Sequence, residues 1–425
     1  MPSVKYCKTG YKYCEPGNAG FSLIEIMVGM VMGLISMVVV MQVFATFEGQ
    51  KRTTTSGSDA QTNGGVGLYT IERDIRMAGY GFADALGCTV NTKQTTLINQ
   101  TPPGSLSFVL APVTITQGNG SDAQGNGGQF DTISVMASNK QNWSVPIRNV
   151  SDHSLHPTFF DVSSTVGMVQ NDLLIAYETN AAGALVKTCA LVQVSNATPV
   201  ATPVVTTAGY VAAGSSGSWN NPAFPAADYT TNALLINMGS LMVRYYSLDA
   251  NSNLIARNYD STSNSGLGAA DPAQILSSDV VNLQAQYGFD TRSAATIAAA
   301  CPANTASGQC SIVDTWSGTM ITADQTGAAL TQAQAIGRMY AVRFAVVARS
   351  GLKEKPDITT GVCKTTTSAG PDNRPRWAFD ATNPAGIVID VSKNPDGTAN
   401  ADWQCYRYKT FETIVPLRNA IWKQR

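Results

Sequence analysis

The sequence predicts an α+β fold: a long N-terminal hydrophobic helix, then a mainly antiparallel β domain carrying long loop insertions. Two observations predict it. The run from Phe21 to Phe47 is apolar throughout and holds a single charge, Glu25. Beyond residue 80 the chain turns to short β-branched and aromatic runs, many of them alternating, separated by Gly, Asn, Ser and Pro. At 425 residues there is ample chain to bury a core. Only 13% of residues are charged, a composition closer to an exported surface than to a cytosolic enzyme. The net charge of -1 argues against a dedicated nucleic-acid binder, which needs a basic excess. From Arg338 onward 14 Lys and Arg stand against 8 Asp and Glu, giving +6 and leaving -7 for the preceding part; a solvated surface accounts for both.

The first element is the N-terminal segment. Residues 1–20 carry Lys5, Lys8 and Lys12 against Glu15, have no apolar core and end in Gly20. A secretory signal places its apolar stretch before the cleavage site, whereas here that stretch starts at Phe21. A bilayer is crossed by about 20 apolar residues at ~1.5 Å each, which the run FSLIEIMVGMVMGLISMVVVMQVFATF supplies. The lysines ahead of it predict a cytoplasmic N-terminus, inner-membrane anchoring and export of the bulk of the chain. A carboxylate in such a run costs roughly 2.5–3.5 kcal/mol at the bilayer centre, less near its edge, and calls for a partner. Gly29 and Gly33 have the G-x-x-x-G spacing that lets helices approach closely in lipid.

Glycine, an aromatic residue and a glutamate four positions further on (Gly20, Phe21, Glu25), ahead of an apolar run, resemble the type IV prepilin signal. The resemblance implies that a prepilin peptidase cuts between Gly20 and Phe21 and methylates the new Phe21 amine. Removing 20 of 425 residues leaves 405. It also implies that Glu25 attracts the N-terminal amine of a neighbouring subunit, a pairing that offsets the desolvation of a lone carboxylate. The competing reading is a signal anchor with an incidental acid.

Helical periodicity resumes at Leu68, Ile71, Ile75 and Ala78, with Glu72 and Arg76 as an i,i+4 pair on another face, and Gly79 stops it. Between the two helical segments, residues 53–67 are rich in Gly, Ser and Thr; each Gly costs about 1 kcal/mol relative to Ala, so a Gly-rich break is expected there. The organisation is therefore a leader over 1–20, a membrane and assembly helix over 21–80, and a β-rich exported domain over 81–425.

Strand-like runs include SFVLAPVTI, FDTISVMA, DLLIAYE, ALLINM, VVNLQAQYGF and YAVRFAVVA. LMVRYYSLDANSNLIARNY reads as a hairpin turning at Asp249 to Asn253. The spacers 197–230, 258–272, 291–330 and 355–402 are long and polar and are expected to be surface insertions.

ERDIRMAGYG (72–81), DVVNLQAQYGFD (279–290), GRMYAVRFAVVARSG (337–351) and YRYKTFETIVPLRN (406–419) resemble, in that order, the PilW-type minor pilins, relatives of the J-type minor pseudopilins of type II secretion. The resemblance implies a type IV pilin-like fold. Arg407, Phe411, Thr413, Leu417, Arg418 and Asn419 fall on the family's closing pattern, and the tail reads locally as a late core strand.

Cys7 and Cys14 would leave with the leader, and Cys88, Cys189, Cys301, Cys310, Cys363 and Cys405 remain, without any C-x-x-C. Cys301 and Cys310 bracket a small loop whose closure is worth roughly 2–3 kcal/mol. Cys363 with Cys405 would pin an insertion, leaving Cys88 with Cys189, although six cysteines allow 15 pairings. No enzymatic motif, cofactor or metal site is expected. His153 and His156 read as a polar loop. KNPDGTANAD (393–402) has Ser392 and Trp403 where a calcium loop needs acids, so a tight Asp-Gly turn is the better account. GNGSDAQGNGG (118–128) reads as a loop, not a phosphate cradle, because no helix pattern follows it.

Three functions fit these features. The first is a minor pilin that primes type IV pilus assembly, with prepilin peptidase, other minor pilins, the major pilin, inner-membrane assembly machinery and membrane lipid as partners. The second is a type II secretion pseudopilin, disfavoured by the size of this chain. The third is a tip adhesin using insertions such as SGSWNNPAFPAADY (217–230).

Overall fold

The computed structural model describes residues 20–425 apart from 93–105, 119–128, 141–144, 156–158, 171, 181–184, 195, 199–203, 207–228, 261–271, 301–309, 357–358, 364–373, 382 and 422–425. Residues 1–19, with Cys7 and Cys14, therefore lie outside the described residues, as does the body of the 119–128 loop. The chain divides into two compact units, 1–57 and 58–425.

In the first unit the helix α1 (Leu23–Met77) begins where the Glu25 and Ile26 amides donate to the Ser22 carbonyl at 2.9 and 3.2 Å. Every residue from 20 to 48 is exposed. The hydroxyls within this run are satisfied locally: Ser36 and Thr46 donate to the carbonyls of Met32 and Gln42 at 2.8 and 2.9 Å. A helix of this kind leaves no backbone donor open to lipid except at its ends.

In the second unit α1 carries its apolar face into the core, and Ile71, Ile75 and Ala78 are fully buried. Residues 53–67 are helical throughout, which corrects the expected Gly-rich break. The reason is tertiary. A Cβ on Gly64 would stand 2.2 Å from the Phe411 ring, and one on Gly67 2.8 Å from Leu254 Cδ2. Absent side chains let the helix backbone lie against the sheets, and the apolar burial this allows outweighs the propensity cost of the glycines. The helix ends at Gly79, whose φ of +76° needs no Cβ and whose amide donates to the Met136 carbonyl at 2.9 Å.

The strands, β1–β20 in chain order, form mostly antiparallel sheets. A five-stranded sheet runs β14 (Gln274–Ser277), β13 (Leu254–Asp260), β12 (Leu241–Leu248), β4 (Thr132–Ser138), β3 (Val113–Thr116). A four-stranded sheet runs β16 (Thr315–Ser317), β15 (Val280–Phe289), β17 (Met339–Arg349), β20 (Tyr408–Pro416). The inner faces of these two sheets and α1 share the largest core cluster. A six-stranded sheet runs β2 (Leu106–Val109), β1 (Thr89–Thr92), β8 (Cys189–Gln193), β7 (Leu173–Glu178), β11 (Ala233–Gly239), β5 (Ile147–Arg148), and β1 and β8 are its parallel pair. A small sheet of β6 (Phe159–Asp161), β10 (Val204–Thr206) and β9 (Asn196–Thr198) and the hairpin β18 (Arg376–Trp377), β19 (Ile387–Val388) complete the described strands. The short helices are α2 (Ala294–Ala300), α3 (Gln332–Gly337) and α4 (Arg418–Ile421).

Several local expectations change. The β12–β13 hairpin turns where expected, with Asp249 accepting from the Asn251 and Asn253 amides at 2.9 and 2.8 Å. The tail strand β20 is an edge strand, with only Tyr408 and Val415 buried, because nothing among the described residues pairs with its outer side. His153 is buried and stacked on Phe160 with ring centroids 4.2 Å apart, so it is not part of a solvated loop; His156 lies outside the described residues. The spacer 355–402 is only partly surface. Trp377, Ile387, Ile389 and Val391 are buried against Val281, Ala345, Val347 and Tyr408, forming a separate core on the outer face of the four-stranded sheet. Spacer 291–330 likewise contributes β16, which pairs with β15.

Two polar anchors tie the segments together. Asp131, fully buried, accepts from the Gly118 and Ala285 amides at 2.9 and 2.8 Å, and burial pushes its carboxyl up to about 7. Ser138 is a meeting point: its amide donates to the Tyr80 carbonyl at 2.9 Å and its hydroxyl to the Met238 carbonyl at 3.1 Å, while Leu241 is its partner in the sheet.

Candidate functional site

The site has two parts, each built by a different stretch of α1. At the head of the helix, Phe21 is 81% exposed and Glu25 sits in the first turn. The helix N-terminus favours a carboxylate there. Among the described residues no cation pairs with Glu25, so its charge is available to one supplied by another chain. Gly20, Gly29 and Gly33 have nothing within 4 Å of where a Cβ would stand, which leaves room for close approach by a second helix. Leu23–Glu48 is long and apolar enough to cross a membrane.

The second part is a clasp that holds α1 to the sheets of its own unit. Asp74 on the helix meets Arg244 Nη1 on β12 at 3.0 Å and accepts from the Tyr246 hydroxyl. Burial, then the bond to Asp74, raises the Tyr246 phenol, keeping it a donor. Asn63 donates to the Ser278 hydroxyl at 3.3 Å and its carbonyl accepts from Ser277 at 2.8 Å. The tail supplies the rest. The Phe411 ring fills the notch over Gly64, Lys409 Nζ reaches Gln61 Oε1 at 3.2 Å, and Asn419 Nδ2 donates to the Ala78 and Met77 carbonyls at 2.9 and 3.3 Å. Asn419 thus satisfies carbonyls that a helix C-terminus leaves open.

Other tail residues have their own placements. Leu417 is fully buried and its amide donates to the Tyr340 carbonyl at 2.8 Å. Arg407 Nε meets Glu354 Oε1 at 2.7 Å. Thr413 lies within β20 and Arg418 opens α4. Sequence reasoning found the tail but missed Gly64, Asp74 and Arg244, whose partners are remote in the chain; the acid within ERDIRM was the available signal for Asp74.

Residues 239–419 match the family model of PilW, the type IV pilus-assembly protein W. Over these residues, somewhat less than half of the chain, it is similar to the PilW-type pilus-assembly proteins. No curated protein and no solved structure matches it. The PilW-type region starts at the β11–β12 junction and ends on Asn419, so it contains the whole four-stranded sheet and every tail residue that grips α1. The match links residues 239–419 to a family of type IV pilus assembly.

Cysteines sit at both ends of this architecture. Cys88 is bonded to Cys189, joining β8 to the residue before β1, with Cα atoms 5.9 Å apart. Cys363 is bonded to Cys405 with Cα atoms 4.8 Å apart. Cys310 is disulfide-bonded, and Cys301 lies outside the described residues. Among the described residues no group of three or more His, Cys, Asp or Glu is placed to hold a metal. Several basic residues after Arg338 are held in ion pairs, Arg343 with Asp380, Arg407 with Glu354, and Arg349 with Asp279 from the preceding part.

Proposed function

We propose that this chain is a minor pilin that joins other minor pilins in priming a type IV pilus. One observation carries the reading: a single carboxylate heads an otherwise apolar, exposed helix, on a chain whose residues 239–419 match a type IV pilus-assembly family. In this reading prepilin peptidase cuts between Gly20 and Phe21 and methylates the Phe21 amine. The helix rests in the inner membrane with its N-terminus cytoplasmic until assembly. Glu25 then pairs with the amine of a neighbouring subunit, another minor pilin or the major pilin, and each charge lowers the desolvation cost of the other. The fold in this reading is pilin-like, with the clasp transmitting the position of the helix to the β domain. A priming subunit enters first and so sits at the filament tip, on the cell surface. The protein acts by assembly and carries out no catalysis.

Mass spectrometry of the mature N-terminus tests the assignment. The expected species begins at methylated Phe21; an intact Met1 or a cut elsewhere would sink it. Deletion of the gene is expected to remove surface pili or reduce them steeply, and normal piliation in the deletion strain overturns the priming role.

A further inference from the structure

The outer face of the four-stranded sheet is mixed: Val281, Ala345, Val347 and Tyr408 are apolar, while the middle of β15 has the alternation of a strand facing water. On β15, Asn282, Gln284 and Gln286 alternate with the core residues Leu283, Ala285 and Tyr287. All three amides are nevertheless buried. Asn282 is reached by the segment 374–402, in which only 382 lies outside the described residues, while Gln284 donates to the Gln129 carbonyl at 3.1 Å and Gln286 accepts from Arg343.

Side-chain bonds join this cover to the face. Arg343 Nη1 meets Asp380 at 2.8 Å while its Nε donates to Gln286 Oε1 at 2.6 Å, and its guanidinium lies 4.7 Å from the Trp316 ring and 5.7 Å from that of Trp377. Ala378 donates its amide to Glu412 at 2.7 Å, and Asn282 donates to the Asp390 carbonyl at 3.1 Å. The backbone ladder within the segment is two residue pairs long. Among the described residues Gln284 Oε1, Thr410 Oγ1 and Trp377 Nε1 are buried there without a hydrogen-bond partner. Polar atoms left in that state favour the uncovered face. The aromatic and aliphatic contacts of Trp377, Ile387, Ile389 and Val391 oppose them.

Cys363 and Cys405 flank the cover and close it into one ring. Cys88 and Cys189 are both buried, whereas Cys405 is part exposed, so a reductant reaches the Cys363–Cys405 bond first.

We propose that residues 374–402 form a redox-latched strap. With Cys363–Cys405 bonded it covers the outer face of the β16-β15-β17-β20 sheet. On reduction it lifts from that face as one piece, leaving α1, the inner core and the Cys88–Cys189 bond in place. A small-molecule dithiol supplies the two electrons and two protons, giving two cysteine thiols and its own cyclic disulfide. Since such bonds form and persist in oxidising compartments, the strap closes only after export, and the face is covered in the oxidised protein alone.

Hydrogen exchange on the full chain in detergent micelles tests this, comparing the untreated protein, protein treated with low dithiothreitol, and the variant Cys363→Ser with Cys405→Ser. The expected result is exchange over 376–391 faster by about tenfold or more in the last two samples, with β15, β17 and the second half of α1 unchanged and Cys88–Cys189 intact by mass. Unchanged exchange in the strap means that packing alone holds it and overturns the proposal. Loss of protection across β15, β17 and α1 together overturns it too, because the bond is then a staple of the whole unit.

Discussion

The two halves of α1 use the same residue types in opposite ways. From Leu23 to Phe47 the helix is apolar on every side apart from Glu25, exposed throughout, and Gly29 and Gly33 face open space. After residue 58 one face is buried, and Gly64 and Gly67 are filled by Phe411 and Leu254 of the same chain. In the second half Gly64 and Gly67 mark close approach by the chain's own sheets, whereas Gly29 and Gly33 in the first leave space that nothing in this chain fills. The difference also sorts the acids. Asp74 in the docked half has Arg244 and Tyr246, while Glu25 has no cation among the described residues.

Breaking the first half should have the largest effect. Glu25→Ala is expected to leave cleavage and folding intact but to lower incorporation into filaments about tenfold or more, the loss of roughly 1.4 kcal/mol or more per contact. Immunoblots of sheared pili against whole cells measure it, and wild-type incorporation would remove the charge-pairing role. In the second half, Gly64→Val forces a methyl-bearing carbon into the Phe411 ring and is expected to cost about 1–3 kcal/mol of unfolding free energy, read by denaturant titration of the full chain in detergent. The same substitution at Gly29 is expected to spare the fold.

The second unit also responds to acidity. Asp131 holds its proton more tightly in the folded chain than in the unfolded one, since its carboxyl is pushed up to about 7. Its contribution is therefore full below the ordinary carboxylate range and is lost as pH rises through about 7, at a slope of at most ~1.4 kcal/mol per pH unit. Asp131→Asn should flatten that dependence in melts between pH 4 and 8. Asn419→Ala should cost about 1 kcal/mol, seen as faster exchange at residues 75–80. The smallest expected effect is a gain: Gly65→Ala, at a position with nothing within 4 Å of the new Cβ, should add about 0.5–1 kcal/mol.

What could be read in the sequence follows the range of the forces involved. The apolar run, the face of Ile71, Ile75 and Ala78, and the turn at Asp249 depend on neighbours within a few residues, and each appears in the structure as expected. The continuity of α1 does not. Local propensity counts the glycines of 53–67 as defects, and only the position of Phe411, far along the chain, turns Gly64 into a fit. The strap escaped notice for a related reason: Trp377, Ile387, Ile389 and Val391 are scattered through polar sequence and become a core only against β17 and Tyr408. At the candidate site Gly20, Phe21 and Glu25 were legible as a motif, and the clasp was legible only as a tail of unknown purpose, because its partners on α1 and β12 are distant.

The meeting of Tyr80, Met238 and Leu241 at Ser138 has a consequence for how such a chain can diversify. The path leaves the helix at residue 80 and comes back to the same spot some way down the sequence, as the PilW-type match begins. Whereas β3 and β4 belong to the five-stranded sheet, the stretch from 140 to 237 leaves and rejoins the chain at Ser138 and behaves as a graft with both cut ends at one node. Grafts of that geometry tolerate exchange, because replacing the scion moves neither end of the stock. The helix, β3, β4 and the matched region thus form a reusable chassis, and the stretch 140–237, which carries β5, β7, β8 and most of β11, is where exchange disturbs it least.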